Sequence, residues 1–407
     1  NPNARDPTRA FFFCTRLRNL PSSRHVSMSA SKIRWGFLST AEIGRKNWKA
    51  IHNAGNAVIV AVASRDRSKS ERFIRECQSE APFDAAPRAL GSYEELIASA
   101  DVDAVYIPLP TGLRKEWVLR AAAAGKHVLC EKPFGIDADQ AAQMCELARQ
   151  SGRICMVDYL FRMAPERVRL KELLDGQELG RLIRVTVEWT VRGRAAGNSA
   201  WSWQFDPSAG GGVLFAFGAH VVDYLQWLIG PVRSVAVRLS TRGGAGQSAP
   251  IDRPVAADTL DAMLLLEGEI PVSMTVSNAT PGGRGHWLTI YGERGACIVG
   301  NANLADTVIG TSLYRSDAAT GALRQIPVDS VGGEEVADGR TLLVGRIAER
   351  FVRAIRLGTP VAPSCEDGWR AQVVMDAMRQ AHHQQCWVPV RRASSQDGGR
   401  SASLHVQ

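Results

Sequence analysis

Lys132 sits between a carboxylate, Glu131, and a proline, Pro133, directly after the apolar run from His127 to Cys130. If that run is a parallel strand, its carboxyl end aims the lysine into a cleft. Glu131 can hold the ammonium there, and Pro133 fixes the backbone beside it. An exposed lysine in an ordinary turn is the plain alternative. His220 is a second candidate. It ends the stretch Gly210-Gly211-Gly212-Val213-Leu214-Phe215-Ala216-Phe217-Gly218-Ala219-His220. An imidazole titrates in the physiological range, which suits acid–base work on an alcohol; a satisfied core histidine is the other reading. Arg65 follows Ser64 where a nucleotide-binding strand would carry an acid for the ribose 2′-hydroxyl. A guanidinium can stack on adenine and pair bidentately with a 2′-phosphate. Its position favours NADP(H) over NAD(H), against the alternative of a solvated polar turn.

These side chains need strand ends to hold them, and the sequence supplies strands. Residues 32–38 read as a short apolar strand and 39–46 as a turn opening a helix. Residues 56–64 form a β-branched run suited to a strand buried on both faces. Helices over 68–78, 92–99 and 113–124 alternate with strands over 102–110, 126–130 and 152–159. A further helix starts at Asp137, with Gln140 completing a capping box. Alternation of this kind means a doubly wound parallel sheet, with ligands outside the carboxyl ends of its strands. The first turn, Ser39-Thr40-Ala41-Glu42-Ile43-Gly44, has small residues where a dinucleotide fold needs glycines, and only Gly44 is a glycine. A phosphate site at the helix N-terminus and a generic strand–turn–helix both fit it. After Leu179 the texture becomes that of an antiparallel sheet with Gly-containing turns. Amphipathic helices fall near 212–228, 342–357 and 368–383, so the second domain is α+β.

Composition narrows the function classes. The 407 residues are 45% hydrophobic and 22% charged, ordinary for a globular chain of two domains. Half of the net charge of +8 lies in residues 1–27, which hold five arginines and one acid. No basic block remains elsewhere, which argues against nucleic acid as a partner. The eight cysteines form no ligand-like CxxC pair, and Cys130 and Cys155 read as core residues in a reducing, cytoplasmic setting. No metal site is expected. The longest apolar stretch contains His220, Asp223 and Gln226, which argues against a membrane span. Residues 1–31 are expected to be a disordered extension, either an organelle presequence or a segment ahead of a start at Met28. A disordered tail is expected over 393–407.

The stretch AGKHVLCEKPFG resembles the hallmark of the Gfo/Idh/MocA oxidoreductases. IRWGFLSTAEIGRK, YIPLPTGLRKEWVLRA, YLFRMAP and WSWQFDPSAGGGVLFAFGAHVVDYLQWLIG are similar to further motifs of that family, in order, from about Lys32 to Val390. The resemblance implies a Rossmann-type domain over 32–160 and an α+β domain over 161–392 with a large, mainly antiparallel sheet. It implies an NAD(P)-dependent oxidoreductase moving hydride between nicotinamide and a secondary alcohol or carbonyl of a sugar, polyol or cyclic diol. Relatives that cleave glycosides with bound NAD, and a non-catalytic nucleotide-binding protein, are the alternatives.

By the same resemblance Lys132 lies beside the nicotinamide, after a commonly cis peptide bond, and binds the reacting oxygen, while His220 relays the proton. Cofactor contacts are expected at Ser39, Thr40, Ala41, Ile43, Ser64, Arg65, Pro108, Leu109, Pro110, Glu131 and Lys132. Substrate contacts are expected at Arg162, Trp203 and His220. Arg162 and Asp206 are further expected to hold the domain junction, and Trp201 and Trp203 to wall the pocket or pack in the core. Two positions depart from the family pattern. Ala216 replaces an aspartate four residues before His220, and Arg114 replaces a frequent histidine. Arg114 could meet an acidic substrate, the cofactor phosphates or water. A homodimer or homotetramer is expected, formed through the face of the second sheet.

Overall fold

The computed structural model describes residues 32–193, 200–243, 250, 252–304, 306–328 and 338–391. The expectations for residues 1–31 and for the tail beyond 392 lie outside the described residues.

The first half alternates strand and helix. β1 (Ile33–Leu38) leads to α1 (Glu42–Ala54), β2 (Ala57–Ala63) to α2 (Arg67–Glu80), and β3 (Arg88–Leu90) to α3 (Tyr93–Ala98). β4 (Ala104–Ile107) then leads to α4 (Thr111–Ala123), β5 (His127–Cys130) to α5 (Ala138–Gln150), and β6 (Cys155–Val157) closes the series. The strands pair in the order β3-β2-β1-β4-β5-β6, every pair parallel. The order reverses between β1 and β4, so the carboxyl ends of β1, β4, β5 and β6 open on one crevice. Sequence signals explain most of these elements. The residues of β4 are all buried, as a strand covered on both faces requires. Asp66 and Ser92 cap α2 and α3 through their side chains. Asp137 accepts from the Gln140 amide, but only this half of the expected capping box forms. A complete capping box forms between Ser364 and Asp367, at the start of the helix Cys365–Gln384.

α6 (Pro165–Asp175) leads into the second half, which holds β7 (Leu182–Thr190), α7 (Ala219–Leu228), β8 (Val232–Ser240) and β9 (Thr259–Leu266). β10 (Ile270–Ser277), β11 (Gly285–Gly292), β12 (Gly295–Asn301), β13 (Ser312–Asp317) and β14 (Leu323–Ile326) follow. The chain then forms α8 (Gly339–Leu357), α9 (Cys365–Gln384) and β15 (Val388–Pro389). The nine strands make one sheet, antiparallel except where β10 runs parallel to β7. A π-helical turn, Leu214–Gly218, precedes α7. α8 packs on α1, and α9 on α5 and β6, so the end of the chain returns to the nucleotide-binding half. No helix among the described residues is long and apolar enough to cross a membrane.

Candidate active site

The turn after β1 is tight and strained at its first residue. Ser39, at the first glycine position, adopts φ 147°, a conformation that normally selects glycine. Its Oγ accepts the Ala41 amide at 3.0 Å, which offsets part of that strain. Ala41 is the N-cap of α1 and offers no side-chain acceptor, so the first turn of the helix keeps amides free for an anion. Gly44 keeps α1 close: a Cβ there would meet Phe73 Cζ at 3.2 Å. A cavity of about 260 Å³ beside this turn is lined by Ser39, Thr40, Ala41, Ser64, Arg65, Asp66, Lys69 and Tyr93. Five of these were expected from sequence; Lys69 and Tyr93 were missed, because they come from α2 and α3. Asp66 is also in the lining, but its Oδ1 already accepts the amide and hydroxyl of Ser68. Arg65 and Lys69 therefore give the cavity a net positive wall.

The other end of the crevice centres on Lys132. Its Nζ donates to the Ala216 carbonyl at 2.6 Å, across from the second half of the chain. The Lys132-Pro133 bond is cis, as the resemblance implied. Burial pulls the ammonium down from its ordinary value to about 8, against the attraction of Glu131. Glu131 does not hydrogen-bond to the lysine as expected. Its Oε1 accepts the Tyr106 hydroxyl at 2.8 Å, and Asn47 Nδ2 donates to that hydroxyl at 2.7 Å. Glu131 is thus fixed from below by β4 and α1, and acts on Lys132 through charge.

Arg114 settles none of the three roles left open for it. Its Nε donates to the Leu109 carbonyl at 2.7 Å, and its Nη1 to the carbonyls of Glu131, at 3.0 Å, and Pro133. The guanidinium is a buried staple joining the loop after β4 to the loop that carries Lys132. Pro108 and Leu109 are buried in the loop it anchors, while Pro110 and Ile43 are half-buried beside the crevice.

His220 is buried, with its ring 4.9 Å from Phe161 and 6.1 Å from Tyr159. Burial, with the Lys132 charge second, holds its pKa well below the ordinary value. The expectation that it titrates near neutrality is therefore corrected: the ring stays neutral, because a desolvated imidazole beside a cation resists a second charge. Asp158, just past β6, was missed. It is buried and its carboxyl is pushed well up by burial and by Glu131. The signal was there: it is a carboxylate at the end of a parallel strand, by the same logic that selected Lys132.

Of the thirteen buried side-chain polar atoms without a protein partner among the described residues, four are Thr111 Oγ1, Asp158 Oδ1, the Tyr159 hydroxyl and His220 Nδ1. Thr111, Asp158 and Tyr159 follow the carboxyl ends of β4 and β6, and His220 packs on Tyr159. Orphaned donors and acceptors at this edge fit a polar ligand, since unsatisfied buried groups are otherwise costly.

A family model described as "Oxidoreductase family, NAD-binding Rossmann fold" matches residues 33–159, and one described as "Oxidoreductase family, C-terminal alpha/beta domain" matches 171–390. The chain belongs to the Gfo/Idh/MocA family. It is an NAD(P)-dependent oxidoreductase of the kind that acts on CH–OH groups. An uncharacterized oxidoreductase of Synechocystis sp. is 34% identical over 364 residues, covering 87% of this chain and 96% of that one. Levoglucosan dehydrogenase of Pseudarthrobacter phenanthrenivorans is 25% identical over 361 residues, covering 80% and 90%. Among solved structures, levoglucosan dehydrogenase in complex with NADH and levoglucosan superposes with a TM-score of 0.77 at 21% identity, covering 89% of this chain and 100% of that one.

The remaining expected residues of this Gfo/Idh/MocA chain fall as follows. Arg162 is buried, with Nε and Nη2 bonded to Asp223 at 2.9 and 2.6 Å and Nη2 also to Asp367 at 3.1 Å. Both carboxylates raise its pKa, and they commit it to joining α7 and α9. The substrate contact expected of it is corrected, because these two carboxylates, both in the second half of the chain, take up its guanidinium. Asp206 instead caps the turn at 207–209, through Ser208. That turn packs on the start of α4, with Ala209 3.7 Å from the position of a Cβ on Gly112. Gly210 is left-handed at φ 78°, and a Cβ on it would fall 2.6 Å from Thr111 Cβ, so glycine permits this close approach. Trp201 packs on Phe205, and Trp203 stands 37% exposed, outside the core.

Proposed function

We propose an NADP(H)-dependent dehydrogenase or reductase acting on a secondary alcohol or carbonyl of a sugar, polyol or cyclic diol. The observation that carries this reading is Lys132: an ammonium of lowered pKa at a strand end, within electrostatic reach of the buried Asp158 and His220. Bound nicotinamide supplies the hydride acceptor or donor. Lys132 then holds the reacting oxygen and passes its proton, because an amine titrating near 8 can both give and take one close to neutrality. Glu131 keeps the lysine charged enough to donate, and Arg114 fixes both loops. His220, neutral, orients a substrate hydroxyl through Nδ1. Arg65 and Lys69 would meet the 2′-phosphate of NADP(H), with Ser39, Thr40, Ala41 and Ile43 along the pyrophosphate and Pro108, Leu109 and Pro110 along the nicotinamide side.

Support for a sugar-like substrate comes from the relatives: D-xylose 1-dehydrogenase (NADP(+)) 2 of Haloferax volcanii, for example, is 35% identical over 51% of this chain and 61% of its own. We place the boundary between the two halves near residue 160. Self-association through the second sheet is supported by the exposed Ile183, Met263 and Tyr291 on three of its strands. The cysteine pattern supports a reducing, cytoplasmic setting.

The test is a fluorescence titration with NADPH and NADH, followed by a panel of sugars and dicarbonyls read at the nicotinamide absorbance. Equal affinity for the two cofactors sinks the NADP(H) preference. Glycoside cleavage with no change in absorbance points to the hydrolase, and binding without any turnover to a non-catalytic protein.

A further inference from the structure

Nδ1 of His220 has no protein partner among the described residues, so packing rather than a hydrogen bond there sets its ring. Phe161 meets the imidazole edge-on at 4.9 Å and 86°, and Trp189 lies 6.3 Å from it. Trp189 also meets Phe217 at 4.5 Å and 77°. Phe217 directly follows Ala216, whose carbonyl takes the Lys132 ammonium. One indole therefore borders both His220 and the turn that anchors Lys132, and whatever holds the indole decides where they stand.

Trp189 in β7 and His286 in β11 are directly opposed in the antiparallel register. Their rings stack at 4.0 Å and 7° from parallel. With one face of His286 on Trp189, Arg167 of α6 takes the other. Its Nη2 lies 3.4 Å from Nδ1 and 3.5 Å from Nε2, and near-equal distances to the two nitrogens place it over the ring face. The same guanidinium covers Phe161 at 4.6 Å and Tyr224 at 5.1 Å. The Tyr224 hydroxyl reaches His286 Nε2 at 3.2 Å. Burial and the guanidinium charge keep His286 neutral, as a ring beneath a cation must be.

Arg167 is 1% exposed, its Nε has no partner, and it makes no ion pair with a carboxylate among the described residues. Buried charges are ordinarily paired. Here planar contacts with three rings stand in place of a carboxylate. A lysine could not supply them, since an ammonium is a point charge without a plane.

We propose that Arg167 is a positioning residue: it clamps Phe161 directly and Trp189 through His286, and so fixes the His220 ring and the turn that presents the Ala216 carbonyl. This rests on the oxidoreductase reading above, in which Lys132 and His220 serve the substrate.

The test uses the full chain with Arg167→Met, Arg167→Lys and His286→Phe. Replacing a buried charge by an apolar side chain is often neutral, so Arg167→Met should stay folded. Hydrogen exchange of peptides over residues 214–220 should be about tenfold faster in both Arg167 variants, with residues 57–63 of β2 unchanged as the measure of global opening. With a carbonyl that the wild type reduces, kcat should fall about tenfold to a hundredfold in both, while the NADPH dissociation constant holds. His286→Phe keeps a ring between its two neighbours and should resemble wild type in exchange and turnover. Wild-type exchange over 214–220 in Arg167→Met overturns the proposal. So does faster exchange with unchanged kcat, and so does a fully functional Arg167→Lys, which would make charge rather than the planar stack the cause. Should Arg167→Met fail to fold, His286→Ala breaks the same stack with Arg167 in place, and the same outcomes apply to it. If the wild type reduces no carbonyl of the panel, the oxidoreductase reading fails by itself, and the exchange comparison still decides whether Arg167 holds the turn.

Discussion

A lysine whose folded pKa is about 8 makes a prediction with a definite sign. The value is lowered from an ordinary 10.5, mainly by burial. Lys132 should be mostly protonated at pH 7 and mostly neutral at pH 9. In the reductive direction it must donate a proton, so kcat/KM should be level below about 8 and fall close to tenfold per unit above it. In the oxidative direction it must accept one, so the rate should rise with pH and level off above about 8. Glu131→Gln removes the carboxylate that raises the lysine's pKa, and should move both breaks to lower pH. Stability follows the same shift. Because the folded pKa lies below the unfolded one, the half-buried ammonium opposes folding fully below pH 8, and this opposition fades as pH rises from 8 to 10.5. The shift corresponds to about 3 kcal/mol at most, so Lys132→Met should abolish turnover without lowering the melting temperature. The assay is steady-state NADPH oxidation against pH with a working carbonyl substrate, beside melting curves of both variants. A wild-type profile with no break between pH 7 and 9, or single turnover by Lys132→Met at the wild-type rate, refutes the reasoning.

Other outcomes follow from neighbouring contacts. Arg65→Ala should narrow the gap between NADPH and NADH affinities by about 1.5–3 kcal/mol, the worth of a charged hydrogen bond; an unchanged ratio in the titration would remove Arg65 from the site. Arg114→Met strands three buried carbonyls and should destabilise the fold by a few kcal/mol; denaturant midpoints measure it, and a neutral substitution contradicts the staple. His220→Asn should lower turnover yet leave the pH profile between 6 and 7 unchanged, since the ring is already neutral there. Asp223→Asn uncouples a buried ion pair with Arg162 and should cost on the order of 3–5 kcal/mol, read by urea unfolding.

The sequence made the nucleotide-binding half legible because its strands are buried on both faces and so spelled as apolar runs, such as AVIVAVA in β2. β3 escaped because three edge residues, Arg-Ala-Leu, carry no such pattern. The strand-end positions of Lys132 and Arg65 were legible because each stands two residues past an apolar run. Arg114 was not, because its partners are main-chain carbonyls, which no residue pattern encodes. His220 was found by place but misjudged in charge, since its burial arises from Phe161, Tyr159 and Trp189, residues up to about sixty positions away in sequence. The loss of an aspartate at 216 was visible; the carbonyl that takes up Lys132 there was not.

That last contact has a consequence for how the enzyme can be altered. Lys132 leans on an oxygen that every amino acid at position 216 would supply, provided the π-helical turn over Leu214–Gly218 persists. Anchoring of the lysine is thus separated from the identity of the side chain beside it. A saturation library at Ala216 should therefore return variants that differ in which substrates they accept while sharing one pH break, and position 216 becomes a dial for selectivity that leaves the proton chemistry alone.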